Sequence, residues 1–393
     1  MMNDVAAARV SLLRESSDAA TRVFATILTR SPISRADVAR SIGLSQAAVT
    51  KAVTPLLAAG LLDDSLGSDR QGLPGRPANP IAVVPDALVT VGIKVNPHQL
   101  IGVATDLTAQ VLAAEQSRLD SDDPDAVVDA IVALVGSLAG GLDGRSDRLA
   151  AIGVSVSGDV DARTGLIRES ANMHWQDVPL GARLTERLGA LVVVENDVRA
   201  LTIGEHWFGV GLGTESFAMV TIGRGIGSGL HLNGEVVEGA YGVAGEIGHL
   251  PLTSPDKICA CGRRGCVEAV AATHAIVDAV EAAHGRSLTI EQVVNLAYAG
   301  DPAAVNAFHE AATVIGTAIA SLANLVGPEV VIIGGEGVTN FELFREPLLA
   351  AFAEHAFGAA GRCRIVVRPH TFQDWARGAA AAAIRALVAA PAG

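Results

Sequence analysis

The chain has 393 residues, half of them hydrophobic and 18% charged, with a formal net charge of −13. Such a length asks for more than one domain, the apolar content excludes a disordered chain, and the acidic balance excludes nucleic-acid binding along the whole length. There is no run of about 18 apolar residues to span a membrane, and the N-terminus MMNDVAAARVSLLRESSD has no signal-peptide pattern, so a cytoplasmic protein is expected. The charge is uneven. Residues 1–80 carry nine Lys+Arg against seven Asp+Glu, whereas the other 313 residues carry 20 against 35. Only the head is expected to meet phosphate.

Residues 19–62 read as helical. Val23, Phe24, Ile27 and Leu28 have helical spacing, and Ser31-Pro32 ends that segment. Ser34 caps a short helix that Gly43 closes, and Ser45 caps a third helix that runs to Gly60. Three helices with a short turn between the second and third predict a helix-turn-helix. The Gly-, Pro- and Asp-rich stretch 61–85 predicts a two-stranded wing and a linker. From Leu88 the texture changes to three consecutive strands, LVTVGIKV, QLIGVATDL and AQVLAAEQ, followed by a helix after Asp123-Pro124. LAAIGVSVS and LGALVVVEND read as further strands. A second block repeats the pattern: SFAMVTIG, GSGLHLNG and EVVEGA, then helices near 302–326 and 340–357 around the strand EVVIIGG. RCRIVVRP and an Ala-rich helix finish the chain. Two such blocks predict a two-lobed α/β body, with ligands expected in the cleft between lobes.

Three of the four cysteines, Cys259, Cys261 and Cys266, lie within eight residues, which points to metal or redox chemistry before a disulfide. Cys363 reads as a buried small hydrophobe.

Several segments resemble the ROK family (repressors, open reading frames and kinases): VVVENDVRALTIGE (192–205), TIGRGIGSGLHLNGEVVEGAYGVAGEIGHLPL (221–252), CACGRRGCVEAVA (259–271) and LVGPEVVIIGG (325–335). SVSGDVDARTGLIRESANMHWQDVPL (155–180) also fits, so the resemblance covers roughly residues 86–393. It implies an actin-like (RNase H-like) sugar-kinase fold behind a winged helix-turn-helix. The expected domains are 1–85 (head and linker), 86–197 (first lobe) and 198–393 (second lobe, its last helix returning to the first).

The resemblance implies a structural zinc site made by His249, Cys259, Cys261 and Cys266, four ligands with no open position. It also implies hexose binding by Asn196, Asp197, Glu246, His249 and Glu268, since carboxylates accept hydrogen bonds from sugar hydroxyls. Ser157, Gly158 and Asn172 are further candidates for the same cleft. Asp197 matches the general base of the family's kinases, so it counts as catalytic only if the chain is a kinase. Against that stands the phosphate loop. Lys94 replaces the expected Asp, Asn96 and Pro97 replace two glycines, and His98 replaces a Thr. Proline removes a backbone N–H, and lysine cannot ligate Mg²⁺. The stretch 223–229 (GRGIGSG) and Gly334-Gly335 keep the outline of the other phosphate-side and adenine-side loops.

In the head, Ser45, Gln46, Ala47, Thr50 and Lys51 lie at the N-terminal end of the helix that would enter a major groove, and Arg76 of the wing resembles a minor-groove hook. With the resemblance, the sequence implies a DNA-binding, sugar-responsive transcription regulator of carbohydrate metabolism, expected to act as a repressor and not as an enzyme. Its expected partners are double-stranded operator DNA, a sugar or sugar derivative, and a second copy of itself as dimer or tetramer. The rival reading is an ATP-dependent sugar kinase with a helical extension.

Overall fold

A computed structural model describes residues 3–65 and 80–388. The chain divides into two compact units, Met1–Leu212 with Gln373–Gly393, and Gly213–Phe372. No helix among the described residues is long and apolar enough to cross a membrane.

The first unit opens with a helix that the apolar periodicity did not announce. α1 (Asp4–Arg14) starts at Asn3, whose side chain accepts the Ala6 N–H at 2.8 Å. α2 (Asp18–Arg30) buries Val23, Phe24, Ile27 and Leu28, as their spacing requires. β1 (Ile33–Ser34) leads into α3 (Arg35–Ile42), which Ser34 caps by accepting the Asp37 N–H at 3.1 Å. Gly43 closes α3 in the left-handed region at φ +69°, where a side chain would be strained. Ser45 then accepts the Ala48 N–H at 3.2 Å and starts α4 (Gln46–Ala58). β2 (Leu62–Asp63) and β3 (Pro80–Val83) pair antiparallel, and β1 joins the other edge of β3. Residues 66–79 of the loop between β2 and β3, with Arg76, lie outside the described residues.

The body of this unit is a five-stranded sheet. β4 (Val89–Asn96), β5 (Gln99–Asp106) and β6 (Val111–Arg118) form an antiparallel meander. After α5 (Pro124–Gly140), β7 (Leu149–Val156) joins β4 in parallel. A small sheet of β8 (Asp159–Asp161), β9 (Leu166–Ser170) and β10 (Trp175–Val178) follows, then α6 (Leu180–Leu188). β11 (Leu191–Asn196) extends the main sheet in parallel beside β7, and α7 (Asp197–Phe208) starts directly from its end. The order is β11-β7-β4-β5-β6.

The second unit repeats this connectivity. β12 (Phe217–Ile222), β13 (Ile226–Leu232) and β14 (Glu235–Val236) form the antiparallel part. α8 (Glu268–Ala271), α9 (Thr273–His284), α10 (Ile290–Tyr298) and α11 (Pro302–Val326) precede β15 (Val330–Gly334). α12 (Glu342–His355) and β16 (Arg364–Val367) complete the order β14-β13-β12-β15-β16, with β15 and β16 parallel. α11 has the expected punctuation. Asp301 caps it, Pro302 occupies its first turn, and Gly327 ends it at φ +59°. Cys363 is half-buried at the edge of the core, where a fully buried thiol was expected.

α13 (Phe372–Val388) belongs with the first unit and covers the sheet face opposite α5. A Cβ at Gly92 would stand 1.9 Å from the Ala376 carbonyl oxygen, and one at Gly153 would stand 1.8 Å from that of Ala379. The glycines are what let the helix backbone lie directly on β4 and β7.

Candidate functional sites

The head presents one polar helix face. Val49, Val53 and Leu56 of α4 are buried, and Gln46, Ala47, Thr50 and Lys51 are exposed. Thr54, which the sequence reading did not single out, is exposed one turn further on. Ser45 is exposed but its hydroxyl serves as the cap. The three-residue turn Gly43–Ser45 fixes the angle between α3 and α4, as in a helix-turn-helix. Arg35 pairs with Asp64 at 2.8 Å and ties the start of α3 to the base of the wing. Arg9 of α1 donates to the carbonyls of Ala59 and Ala87, both at 2.8 Å, and so joins the end of α4 to the entry of β4.

In the body of the first unit, Asn196 and Asp197 sit where β11 becomes α7. Asn196 Oδ1 accepts the Val198 and Arg199 N–H groups at 3.0 and 3.1 Å, and its Nδ2 donates to the Gly158 carbonyl at 2.9 Å. Its acceptor is therefore committed to capping α7. Beneath it, Glu195 pairs with Arg199 at 2.6 Å, and Arg199 also donates to the Val160 carbonyl. Burial pushes the Glu195 carboxyl up, against the pull of Arg199 and Arg385. This buried pair ties the end of β11 to the first turn of α7.

Asp197 is almost completely buried. Oδ2 accepts from Lys94 Nζ and from Ser157 Oγ (2.7 Å), while Oδ1 accepts the Val198 N–H at 2.9 Å. Lys94 is 4% exposed and its ammonium lies 5.5 Å from the centre of the Trp375 ring. Burial pushes the Asp197 carboxyl up, but the Lys94 charge and the three hydrogen bonds outweigh it and hold the group below the usual carboxylate range. A lysine that stands where the kinases' metal-holding Asp is expected, and that could have paired with phosphate, is thus the direct partner of the kinase-base position. Asn172 is exposed on a short turn after β9.

In the second unit, Glu246 and His249 bracket one 3₁₀ turn, Ile247–His249. Gly248 lets that turn press on β13, since a Cβ there would lie 2.1 Å from the Ile226 carbonyl oxygen. The cysteine loop folds back on the same segment. Val267 N–H bonds the Leu250 carbonyl at 3.1 Å, and Pro251 bridges to Cys266. Gly262 and Gly265, at φ +81° and +76°, tighten the loop. His249 and all three cysteines are thereby brought together, with their ligand atoms within 4.8 Å of one another. His249 Nδ1 is 3.9 Å from Cys259 Sγ, and Cys261 Sγ is 3.9 Å from Cys266 Sγ. A tetrahedral zinc site with Zn–S bonds of about 2.3 Å has sulfur–sulfur edges of about 3.8 Å, so the donor set fits such an ion. Burial pushes the Cys259 thiol up to about 12, and a divalent cation is what would stabilise its thiolate. Two residues beyond Cys266, Glu268 Oε2 accepts the Ile226 N–H at 2.9 Å.

The comparisons with known proteins follow this division. The ROK family matches residues 90–386. The xylose repressor of Bacillus subtilis (strain 168) is 27% identical over 337 residues, covering 85% of this chain and 86% of that protein. A crystal structure of a ROK family transcriptional regulator, a homologue of the Escherichia coli Mlc protein, superposes with a TM-score of 0.82 at 25% identity over 97% of each chain. A ROK family glucokinase from Streptomyces griseus, in complex with glucose and AMPPNP, superposes with a TM-score of 0.66 at 27% identity, over 75% of this chain and 99% of its own. With a two-unit body of repeated sheet topology and a family match over three quarters of its length, the chain belongs to the ROK family.

Proposed function

We propose that the chain is a sugar-responsive transcriptional repressor. The observation that carries this reading is the exposed face of α4, with Gln46, Thr50 and Lys51, on the same chain as a ROK body. A transcriptional regulator superposes over 97% of this chain, enough to include that head, and a xylose repressor matches 85% of it, whereas the glucokinase covers 75%. Operator DNA would take α4 in its major groove, with Ser45 positioning the helix and Gln46, Ala47, Thr50 and Lys51 facing bases and phosphates. Arg76 is proposed as a minor-groove contact. Two half-sites would require a homodimer or a tetramer.

The proposed effector is a sugar or sugar derivative, bound by Asn196 and Asp197 of the first unit and by Glu246, His249 and Glu268 of the second. Asn196 would contribute its remaining amide N–H. The proposed metal is structural zinc on His249, Cys259, Cys261 and Cys266. Bound there, it supplies charge that keeps the thiolates ionised and the loop ordered. His249 would face the metal with Nδ1 and offer Nε2 to a hydroxyl. The Lys94 ion pair supports a binding role for Asp197 over phosphoryl transfer. The Lys94 charge and the hydrogen bonds hold Asp197 below the usual carboxylate range, which weakens it as a base, while Oδ1, with the Val198 N–H as its one donor, keeps a lone pair for a sugar hydroxyl.

Selection of genomic DNA by the purified protein, with and without a panel of sugars, tests the reading. An inverted repeat released by one sugar is the expected outcome. Glu268→Gln keeps an acceptor for Ile226 N–H and is expected to bind the operator but ignore the sugar. No enriched DNA, together with sugar-dependent ADP release lost in Asp197→Asn, would establish the kinase instead.

A further inference from the structure

The turn Gly223-Arg224-Gly225 joins β12 to β13, and resembles a phosphate-side loop of the family's kinases. In the second unit it is held on both sides. The Gly223 carbonyl accepts from the Thr273 N–H at 2.9 Å and from the Thr273 hydroxyl at 2.8 Å. On the other side the carboxylate of Glu336 lies against Gly223. A Cβ at Gly223 would stand 2.1 Å from Glu336 Oε1 and 2.3 Å from its Cδ. The same Oε1 accepts the Arg224 N–H at 2.9 Å. Two residues on, Glu268 Oε2 accepts the Ile226 N–H at 2.9 Å.

The backbone delivers Glu336 to this place. Gly335 has φ +93°, and a Cβ at Gly335 or Gly337 would meet the Ile222 carbonyl oxygen at 2.6 or 2.8 Å. Glycine on both sides lets the segment press on the end of β12, and the glutamate between them reaches the turn. Backbone N–H groups of a glycine turn recruit anionic oxygen, and a carboxylate supplies it as a phosphate would. Neither a hairpin requirement nor core packing calls for a charged residue here.

We propose that Glu336 is a tethered anion that occupies the phosphate-binding position of the Gly223–Gly225 turn and closes it to nucleotide phosphates. The inference rests on reading the chain as a regulator. Glu336 acts twice: it takes the Arg224 donor, and its charge repels any phosphate approaching Gly223. The first unit makes the opposite replacement, with the Lys94 cation on Asp197.

The test is calorimetric titration of the full-length, zinc-loaded protein with tripolyphosphate and with ADP, at low salt. The wild type is expected to bind at least about tenfold more weakly than Glu336→Gly. Glu336→Gln keeps an acceptor for the Arg224 N–H but loses the charge, so its gain should lie between the two. It also serves if the glycine variant melts early. Equal affinity in wild type and both variants overturns the proposal. Operator binding and sugar release are read on the same preparations. A wild type that binds and releases DNA while the variants gain no anion affinity sinks the tethered anion alone. A wild type that never binds DNA sinks the regulator reading, whatever the variants do.

Discussion

The ammonium of Lys94 and the carboxylate of Asp197, 103 residues apart in the chain, meet in a buried ion pair that Ser157 and Trp375 complete. Removing one partner of such a pair strands the other charge away from water. Lys94→Met is therefore expected to lower unfolding stability by about 3–5 kcal/mol in urea titrations. The double variant Lys94→Met/Asp197→Leu should recover most of that loss. Losses that simply add would show that the two residues do not depend on each other.

The same pair sets an acid response. Asp197 is held below its ordinary value, because Lys94 and the hydrogen bonds overcome the effect of burial. A depressed carboxyl stabilises the fold above its unfolded value and loses that contribution as the pH falls through the folded one. The stability gap between wild type and Asp197→Asn should thus stay constant from about pH 5 to 8 and close below about pH 4. A gap that closes on raising the pH would contradict the assignment.

Metal analysis of the purified chain should give about one zinc per molecule. Cys266→Ser should drop this below stoichiometric and lower Tm by several degrees, whereas Cys363→Ser should leave the metal content unchanged. Cys363 sits at the start of β16, far along the chain from the ligand loop. Full stability in metal-free Cys266→Ser would remove zinc from any structural role.

Lys51 and Gln46 share the exposed face of α4 but should fail in different ways. Lys51→Ala is expected to weaken all DNA sequences alike and to reduce the salt dependence of binding by about one unit of slope. Gln46→Ala should cost about 1–3 kcal/mol at one base-pair position and relax specificity there. Fluorescence anisotropy on an operator and its single-base variants separates the two, and identical behaviour would take α4 out of the groove.

What could be read in advance was local. Ser34, Gly43 and Ser45 punctuate α3 and α4 within a dozen residues, and Cys259 to Cys266 lie close enough to show their chemistry as a pattern. The two blocks of strands carry their own hydrophobic runs and gave the two-lobed body. Long-range pairs carried no such signal. Lys94 reads only as the replacement of an expected Asp because nothing near it points to Asp197, and Glu336 carries no signal because its partner Arg224 lies 112 residues away. α1 was missed because its burial is sparse, only Ala6 and Leu13, although Asn3-Asp4 is a capping signature. Asn196 illustrates a third kind of difficulty. The resemblance makes it a sugar ligand and the strand reading LGALVVVEND runs through Asp197, whereas the structure starts a helix at Asp197 and uses Asn196 as its cap.

The close seating of α13 on Gly92 and Gly153 has a consequence for biosynthesis. The sheet face that those glycines open is covered by residues that leave the ribosome after the whole of the second unit has been made. The second unit is one uninterrupted stretch and can fold as it emerges, but the half that carries α4 must wait for its last helix. A nascent chain stalled before residue 373 would hold an exposed apolar sheet next to a nearly finished head. Damage to α13 would then be felt first in β4 and β7, far earlier in the chain.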